Sequence, residues 1–306
     1  MDYILIGVGL AGLYFGAEWL VRGSVATAYR LGISPLIASL VIVGFGTSLP
    51  ELLVSLRAAF SGAPGLALGN VVGSNIANIL LIVGLSAVIF PIAGWSKSVR
   101  RDAVVLVISA VVLLLLVQAE VISRISGLAL LGMLALYLGL TYYKARAENH
   151  SADDLPHEQL SPLAMTLLII GGLVTLLIGA EALIRGATTL ARELGVSDAV
   201  IGLTVVAIGT SLPELATAIV AAMKRHSDVT IGNVTGSCIF NTFCIVGATA
   251  AIKPLPVAPG FARIDVPMML AASVFFAAML IFTRKFNRAT GAVMLGIYAF
   301  YIGVLV

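Results

Sequence analysis

Apolar residues run through this chain in long blocks, each closed by a short cluster of glycine, proline and charged positions. Ten blocks are separable: residues 3–21, 35–59, 68–90, 103–117, 127–142, 163–184, 196–223, 229–251, 266–282 and 289–306. A helix needs roughly 20 apolar residues to cross the hydrocarbon of a bilayer, and most of these blocks supply them. The blocks at 103–117 and 127–142 are short and are expected to be tilted or extended by their neighbours. The pattern predicts an all-α, polytopic membrane protein with ten transmembrane helices. The first block follows Met-Asp instead of a basic segment, so no cleaved signal peptide is expected.

Composition strengthens that picture. Of 306 residues, 60% are hydrophobic and only 11% charged, and mean hydropathy is +1.09. Soluble domains carry about 25% charged residues; this chain lacks the polar material to cover a watery surface. The net charge of +3 says little about partners, and no nucleic-acid partner is expected. The placement of the basic residues says more. Twelve follow the odd-numbered blocks: Arg22, Arg30, Lys97, Arg100, Arg101, Lys144, Arg146, Lys224, Arg225, Arg284, Lys285 and Arg288. Six lie on the other side: Arg57, Arg124, Arg185, Arg192, Lys253 and Arg263. The positive-inside rule then predicts both termini outside the cytoplasm. Both cysteines, Cys238 and Cys244, fall inside the eighth block and report nothing about redox compartment.

The chain also repeats itself. The hexapeptide GTSLPE occupies 46–51 and returns at 209–214, an offset of 163. At that offset 18 of the 36 residues from Gly16 to Glu51 are identical to their mates. The register continues without a gap through Gly69-Asn70 with Gly232-Asn233, Gly73-Ser74 with Gly236-Ser237, and Asn78 with Asn241. The chain is a duplication. Each unit holds five blocks, an odd number, so the second copy enters the membrane from the opposite face. The expected organisation is a first five-helix repeat at 1–143, a cytoplasmic connector at 144–162 and an inverted five-helix repeat at 163–306. Inverted repeats place a substrate site near the bilayer midplane, where they meet. Asp153, Asp154 and Glu158 of the connector lack the spacing of a calcium-binding loop and read as a solvated linker.

The repeated residues carry chemistry. Thr47, Ser48 and Glu51 fall on roughly one helical face. Pro50 lacks an amide hydrogen and clashes with the carbonyl of Gly46, which predicts a kink or opening there. Gly44 and Gly46 let the backbone approach a ligand closely. Asn70, Ser74 and Asn78, spaced by four, supply a second wall, with Gly69 and Gly73 as a close-packing stripe. The second half repeats the set as Thr210, Ser211 and Glu214 with Pro213, then Asn233, Ser237 and Asn241. These are hard oxygen donors of the kind Ca2+ prefers. Asparagines and serines inside a membrane also glue helices together. Glue does not require two symmetric carboxylates, each of which costs a few kcal/mol at mid-bilayer.

Other patterns read as structure. Glu18 with Arg22, and Glu181 with Arg185, have the i,i+4 spacing of interfacial ion pairs with snorkelling arginines. Gly7-Val-Gly9-Leu-Ala-Gly12 spells a dinucleotide fingerprint, but it lies inside an apolar block without a strand before it, so its glycines are expected to pack helices. No Ser-His-Asp set, zinc-protease motif or phosphate loop occurs, and His150, His157 and His226 all lie between blocks. An enzyme is not expected.

The paired motifs, GTSLPE with GNVVGSNIAN and GTSLPE with GNVTGSCIFN, resemble the α-repeats of the cation/Ca2+ exchanger superfamily, prokaryotic Na+/Ca2+ exchangers in particular. The resemblance covers nearly the whole chain. It implies that blocks 2, 3, 7 and 8 form a core around the ions while blocks 1 and 6 slide past it. It implies ligands at Thr47, Ser48, Glu51, Ser74 and Asn78, and at Thr210, Ser211, Glu214 and Ser237, with backbone carbonyls at Gly44 and Ala207. Asn241 stands where many members have Asp, which lowers the formal charge of such a site to −2. The substrates implied are Ca2+ and Na+, with no resident cofactor, in a prokaryotic inner membrane. The large regulatory loop of animal exchangers is absent from the short connector.

The charge count suggests antiport. Two carboxylates cross a low-dielectric barrier only when neutralised. One Ca2+ does so, as do two monovalent ions or two protons, so Ca2+/Na+ exchange and Ca2+/H+ exchange both fit. A passive cation channel is the rival from another class, and the proline-broken inverted repeat favours alternating access over it.

Overall fold

The computed structural model describes residues 2–93, 97–147, 160–195, 209–258, 260–283 and 285–305. The apolar blocks become helices. The first is α1, Asp2–Leu31. The second block divides into α2, Pro35–Thr47, and α3, Leu49–Phe60, with a 40° bend between them. Then come α4, Pro64–Ile89, α5, Lys97–Leu116, and α6, Arg124–Ala147. The later part of the chain holds α7, Pro162–Glu193, α8, Leu212–Met223, α9, Ser227–Ile252, and α10, Phe261–Thr283, and ends in α11, Arg288–Leu305.

Among the described residues, six helices are long and apolar enough to cross a membrane, or seven when the bent pair counts as one span. Among the described residues the fold is all-helical apart from two small ribbons. Helix ends extend beyond the apolar blocks because the polar and basic residues that close a block are good helix formers at the interface. The block read as 3–21 is a 30-residue helix, and the short blocks at 103–117 and 127–142 belong to helices of 20 and 24 residues. Of the block read as 196–223, positions 196–208 lie outside the described residues, as does most of the connector.

The bend in the second block has the expected cause. Pro50 sits in the first turn of α3, where its missing N–H costs nothing, and Ser48 ahead of it leaves helical geometry at φ −82°, ψ 3°. Pro213 opens α8 in the same way after Ser211, at φ −89°, ψ 6°.

Burial separates centre from periphery. In α4 and α9, 72% and 78% of the apolar window is buried, against 33% for α1 and 28% for α7. The first pair therefore forms the middle of the molecule and the second pair lies outside it. Both central helices carry a widened, π-type turn, Ala77–Val83 in α4 and Asn241–Val246 in α9. Such turns hold one extra residue and re-aim side chains, often at functional sites.

The long outer helices cross each other closely. A Cβ on Gly16 would lie 2.7 Å from Leu176 N, and one on Gly172 2.7 Å from Leu20 N. Gly9 and Gly12 of the apparent dinucleotide fingerprint line the same crossing, against Leu183 and Gly179. They pack helices.

The ribbons tie distant connections together. Ile92–Ala93 (β1), after α4, pairs antiparallel with Lys285–Phe286 (β4), between α10 and α11. Val121–Ile122 (β2), between α5 and α6, pairs with Leu255–Pro256 (β3), after α9.

Candidate functional site

The break at Ser48 and the break at Ser211 face each other, and each delivers a serine to the other half of the chain. Ser48 Oγ donates to Oε1 of Glu214 at 3.3 Å. Ser211 Oγ lies 3.4 Å from Oε1 of Glu51 and 3.5 Å from Ser74 Oγ. Both glutamates are fully buried. Glu51 stands in the first turn of α3 and Glu214 in the first turn of α8, where free amides of a helix N-terminus favour an anion.

The asparagines one helix away brace these turns. Asn70 Nδ2 donates to the Glu51 carbonyl at 3.1 Å, and Asn233 Nδ2 donates to the Glu214 carbonyl at 3.1 Å. Asn70 also reaches Ser55 Oγ at 3.0 Å. These asparagines hold backbone in place, the glue reading, and their side chains are occupied by it.

Several buried oxygens are left over. Oε2 of Glu51, Oε2 of Glu214, Oδ1 of Asn78, Oδ1 of Asn241 and Oγ1 of Thr210 have no hydrogen-bond partner among the described residues. Buried polar atoms are nearly always satisfied, and an unpaired buried carboxylate is among the costliest groups in a protein. Carboxylate, amide and hydroxyl oxygens are the hard donors that could hold a cation. Asn78 lies in the widened turn of α4, and Asn241 opens that of α9.

The remaining sequence-predicted residues take modest parts. Thr47 Oγ1 sits between two acceptors, Val43 O at 3.0 Å and Asn233 Oδ1 at 3.5 Å. The Gly44 carbonyl accepts from Ser237 Oγ at 3.3 Å, a tie between α2 and α9. Ser74 is buried beside Ser211. Ala207 lies outside the described residues.

Asn75 and Thr242, which sequence reasoning passed over, belong to this cluster. Asn75 is buried, accepts from Asn241 Nδ2 at 3.0 Å and donates to Thr242 Oγ1 at 3.0 Å. Asn75 pairs with Cys238 at the repeat offset, so identity between the halves did not mark it; its being an asparagine inside the apolar GNVVGSNIAN segment was the available signal.

Arg185 Nε meets Glu181 Oε1 at 2.6 Å, the expected i,i+4 pair, in an exposed position. Glu18 accepts from Lys224 Nζ at 2.6 Å, which joins α1 to the turn after α8.

Known proteins are similar to this chain. The chain matches the sodium/calcium exchanger protein family over residues 1–143 and 164–306. It is 36% identical over 304 residues to the putative antiporter CaxA of Alkalimonas amylolytica, covering 95% of this chain and 94% of that one. It is 29% identical over 344 residues to the sodium/calcium exchanger MaX1 of Methanosarcina acetivorans, covering 100% and 98%. The solved structure of the sodium-calcium exchanger NCX_Mj, soaked with 2.5 mM Na+ and 0.1 mM Ca2+, superposes with a TM-score of 0.86 at 32% identity, over 100% of this chain and 98% of that one.

Proposed function

Given that this chain belongs to the sodium/calcium exchanger family and is a cation/Ca2+ antiporter of the membrane, we propose that it exchanges Na+ for Ca2+ by alternating access at the paired carboxylates. The observation that carries this reading is the crossed pair Ser48–Glu214 and Ser211–Glu51, with one free oxygen on each buried carboxylate. The ion shell comprises Glu51 and Glu214 as the charged ligands. Thr47, Ser48, Ser74, Asn78, Thr210, Ser211, Ser237 and Asn241 are its neutral oxygens, with the carbonyls of Gly44 and Ala207.

Two carboxylates give the shell a formal charge of −2. One Ca2+ neutralises it, and so do two Na+, so either loaded form can close and turn while the empty one is held back by its uncompensated charge. Exchange of two Na+ for one Ca2+ is electroneutral, whereas three Na+ would leave the loaded shell at +1 and move one net charge per turn, worth ~2.3 kcal/mol per 100 mV. The names of the Methanosarcina relative and of NCX_Mj support Na+ as the coupling ion.

The architecture we assign is ten helices in two inverted five-helix repeats, 1–143 and 163–306, joined by a cytoplasmic connector at 144–162. Both termini lie outside the cytoplasm of a prokaryotic inner membrane, and the transported ions are bound without a resident cofactor. The ribbons support the topology. The β1–β4 pair links connections that follow odd-numbered spans, and the β2–β3 pair links connections that follow even-numbered ones.

Uptake of radiolabelled Ca2+ into proteoliposomes tests the reading. An outward Na+ gradient drives accumulation if Na+ is the counter-ion. Accumulation driven by a proton gradient alone, or equal flux with no gradient, overturns it in favour of proton exchange or a channel.

A further inference from the structure

Asn75 lies beside Asn241, buried inside the protein, and is not one of the residues of the ion shell itself. Its amide is fixed from behind. Nδ2 is 3.0 Å from Thr242 Oγ1 and 3.4 Å from Cys238 O. Thr242 sends its own proton to Cys238 O at 3.1 Å, so the lone pairs of its hydroxyl face Asn75 and demand a donor there. Turning the Asn75 amide over would set its oxygen against the Cys238 carbonyl, two acceptors with no proton between them. Asn75 therefore presents Oδ1, an acceptor, to Asn241.

That acceptor selects what stands opposite. Asn241 meets it with Nδ2 at 3.0 Å. The donor end of the Asn241 amide is then occupied, and its Oδ1, buried and without a partner among the described residues, is the end left for a cation. A carboxylate at 241 has no proton to offer, and one of its oxygens would lie against Asn75 Oδ1.

We infer that Asn75, held by Thr242, is a positioning residue that selects a neutral amide at 241 and turns its oxygen toward the transported cation, keeping the formal charge of the ion shell at −2. The inference rests on the reading of Glu51, Glu214 and Asn241 as ion ligands. It accounts for Asn241 by its neighbours: the position is tuned from behind by a buried hydrogen-bond chain running Asn241, Asn75, Thr242, Cys238.

The test is a double-mutant cycle on the full chain in proteoliposomes, with initial Na+-driven uptake measured against Ca2+ concentration. Asn75→Ala releases the Asn241 amide and raises the KM for Ca2+ roughly tenfold, with kcat changed by less than about twofold, as loss of one oriented buried hydrogen bond predicts. Asn241→Asp alone loses most uptake, because its carboxylate faces the fixed acceptor. The double variant Asn75→Ala with Asn241→Asp transports better than Asn241→Asp alone. A residue that only packs gives the opposite, since its removal worsens every background and lowers the yield of folded protein without a selective KM change.

An unchanged KM in Asn75→Ala, or a double variant no better than Asn241→Asp, overturns the inference. If Asn75→Ala does not fold, Asn75→Leu keeps the volume, removes the acceptor that faces Asn241 and is expected to show the same KM shift and the same rescue; their absence overturns it equally. Glu51→Gln measured in parallel separates the two levels. Full transport there removes the ion-shell reading, whereas loss of transport there with a flat Asn75 series removes the positioning role alone.

Discussion

Ser48 Oγ lies 3.3 Å from Oε1 of Glu214, a hydrogen bond between residues 166 positions apart in the chain. The serine of the first motif serves the carboxylate of the second, and Ser211 returns the favour to Glu51 at 3.4 Å. Neither motif is a site by itself. Ser48→Ala and Ser211→Ala each remove a hydrogen bond to a charged acceptor, worth about 1.5–3 kcal/mol. Each is expected to raise the KM for Ca2+ by at least about tenfold. If the two serines serve one shared ion, as proposed, the double variant should deviate from the sum of the singles. Simple additivity in uptake kinetics would count against a shared site.

The approach of α2 to α9 is set by glycine. A Cβ on Gly236 would lie 2.5 Å from Leu40 O, and one on Gly232 2.6 Å from Leu36 O. Gly236→Ala forces these helices apart at an expected cost of about 1–3 kcal/mol. It also stretches the Ser237–Gly44 contact beside the site. The prediction is a lower unfolding temperature in detergent together with weaker Ca2+ binding. Gly132→Ala, at an exposed helical position with no neighbour within 4 Å among the described residues, should leave both unchanged.

Glu18 and Lys224 meet at 2.6 Å with 31% and 35% of their side-chain surfaces exposed. Pairs this open contribute about 0–1 kcal/mol. Glu18→Gln is therefore expected to leave the KM for Ca2+ unchanged and to retain most of the transport rate. Complete loss of uptake would show that the tie between α1 and the turn after α8 takes part in transport.

Much of this was legible in the sequence for physical reasons. A carboxylate and a proline repeated inside apolar blocks are costly anywhere but at a site, so Glu51, Glu214 and the bend after Ser48 could be read directly. The exchange of serines between halves could not, because sequence spacing describes one helix face and carries no information about which distant helix it meets. Asn75 was hidden because its mate at the repeat offset is Cys238 and it falls outside the four-residue spacing that grouped Asn70, Ser74 and Asn78. Helix ends were underestimated because polar interfacial residues close an apolar block without ending a helix. Lys224 was read as a loop charge for the same reason, although its long side chain reaches back to α1.

The proposed topology puts the connector in the cytoplasm. In an otherwise cysteine-free chain, with Cys238 and Cys244 replaced by serine, Ser151→Cys should resist an impermeant thiol reagent in intact cells and react after lysis. Labelling in intact cells would reverse the assigned orientation.

The central claim is that Glu51 and Glu214 together hold the transported cation. The most direct measurement is Na+-gradient-driven Ca2+ uptake by Glu51→Gln and Glu214→Gln in proteoliposomes, paired with the unfolding temperature of each purified variant with and without Ca2+. Removing a buried, half-satisfied carboxylate should leave the ion-free protein at least as stable as the parent. Ca2+ at 100 times its Kd stabilises the parent by about 2.7 kcal/mol, and that increment should vanish in both variants along with uptake. Substantial uptake with a retained Ca2+-dependent rise in unfolding temperature, in either variant, would contradict the two-carboxylate site.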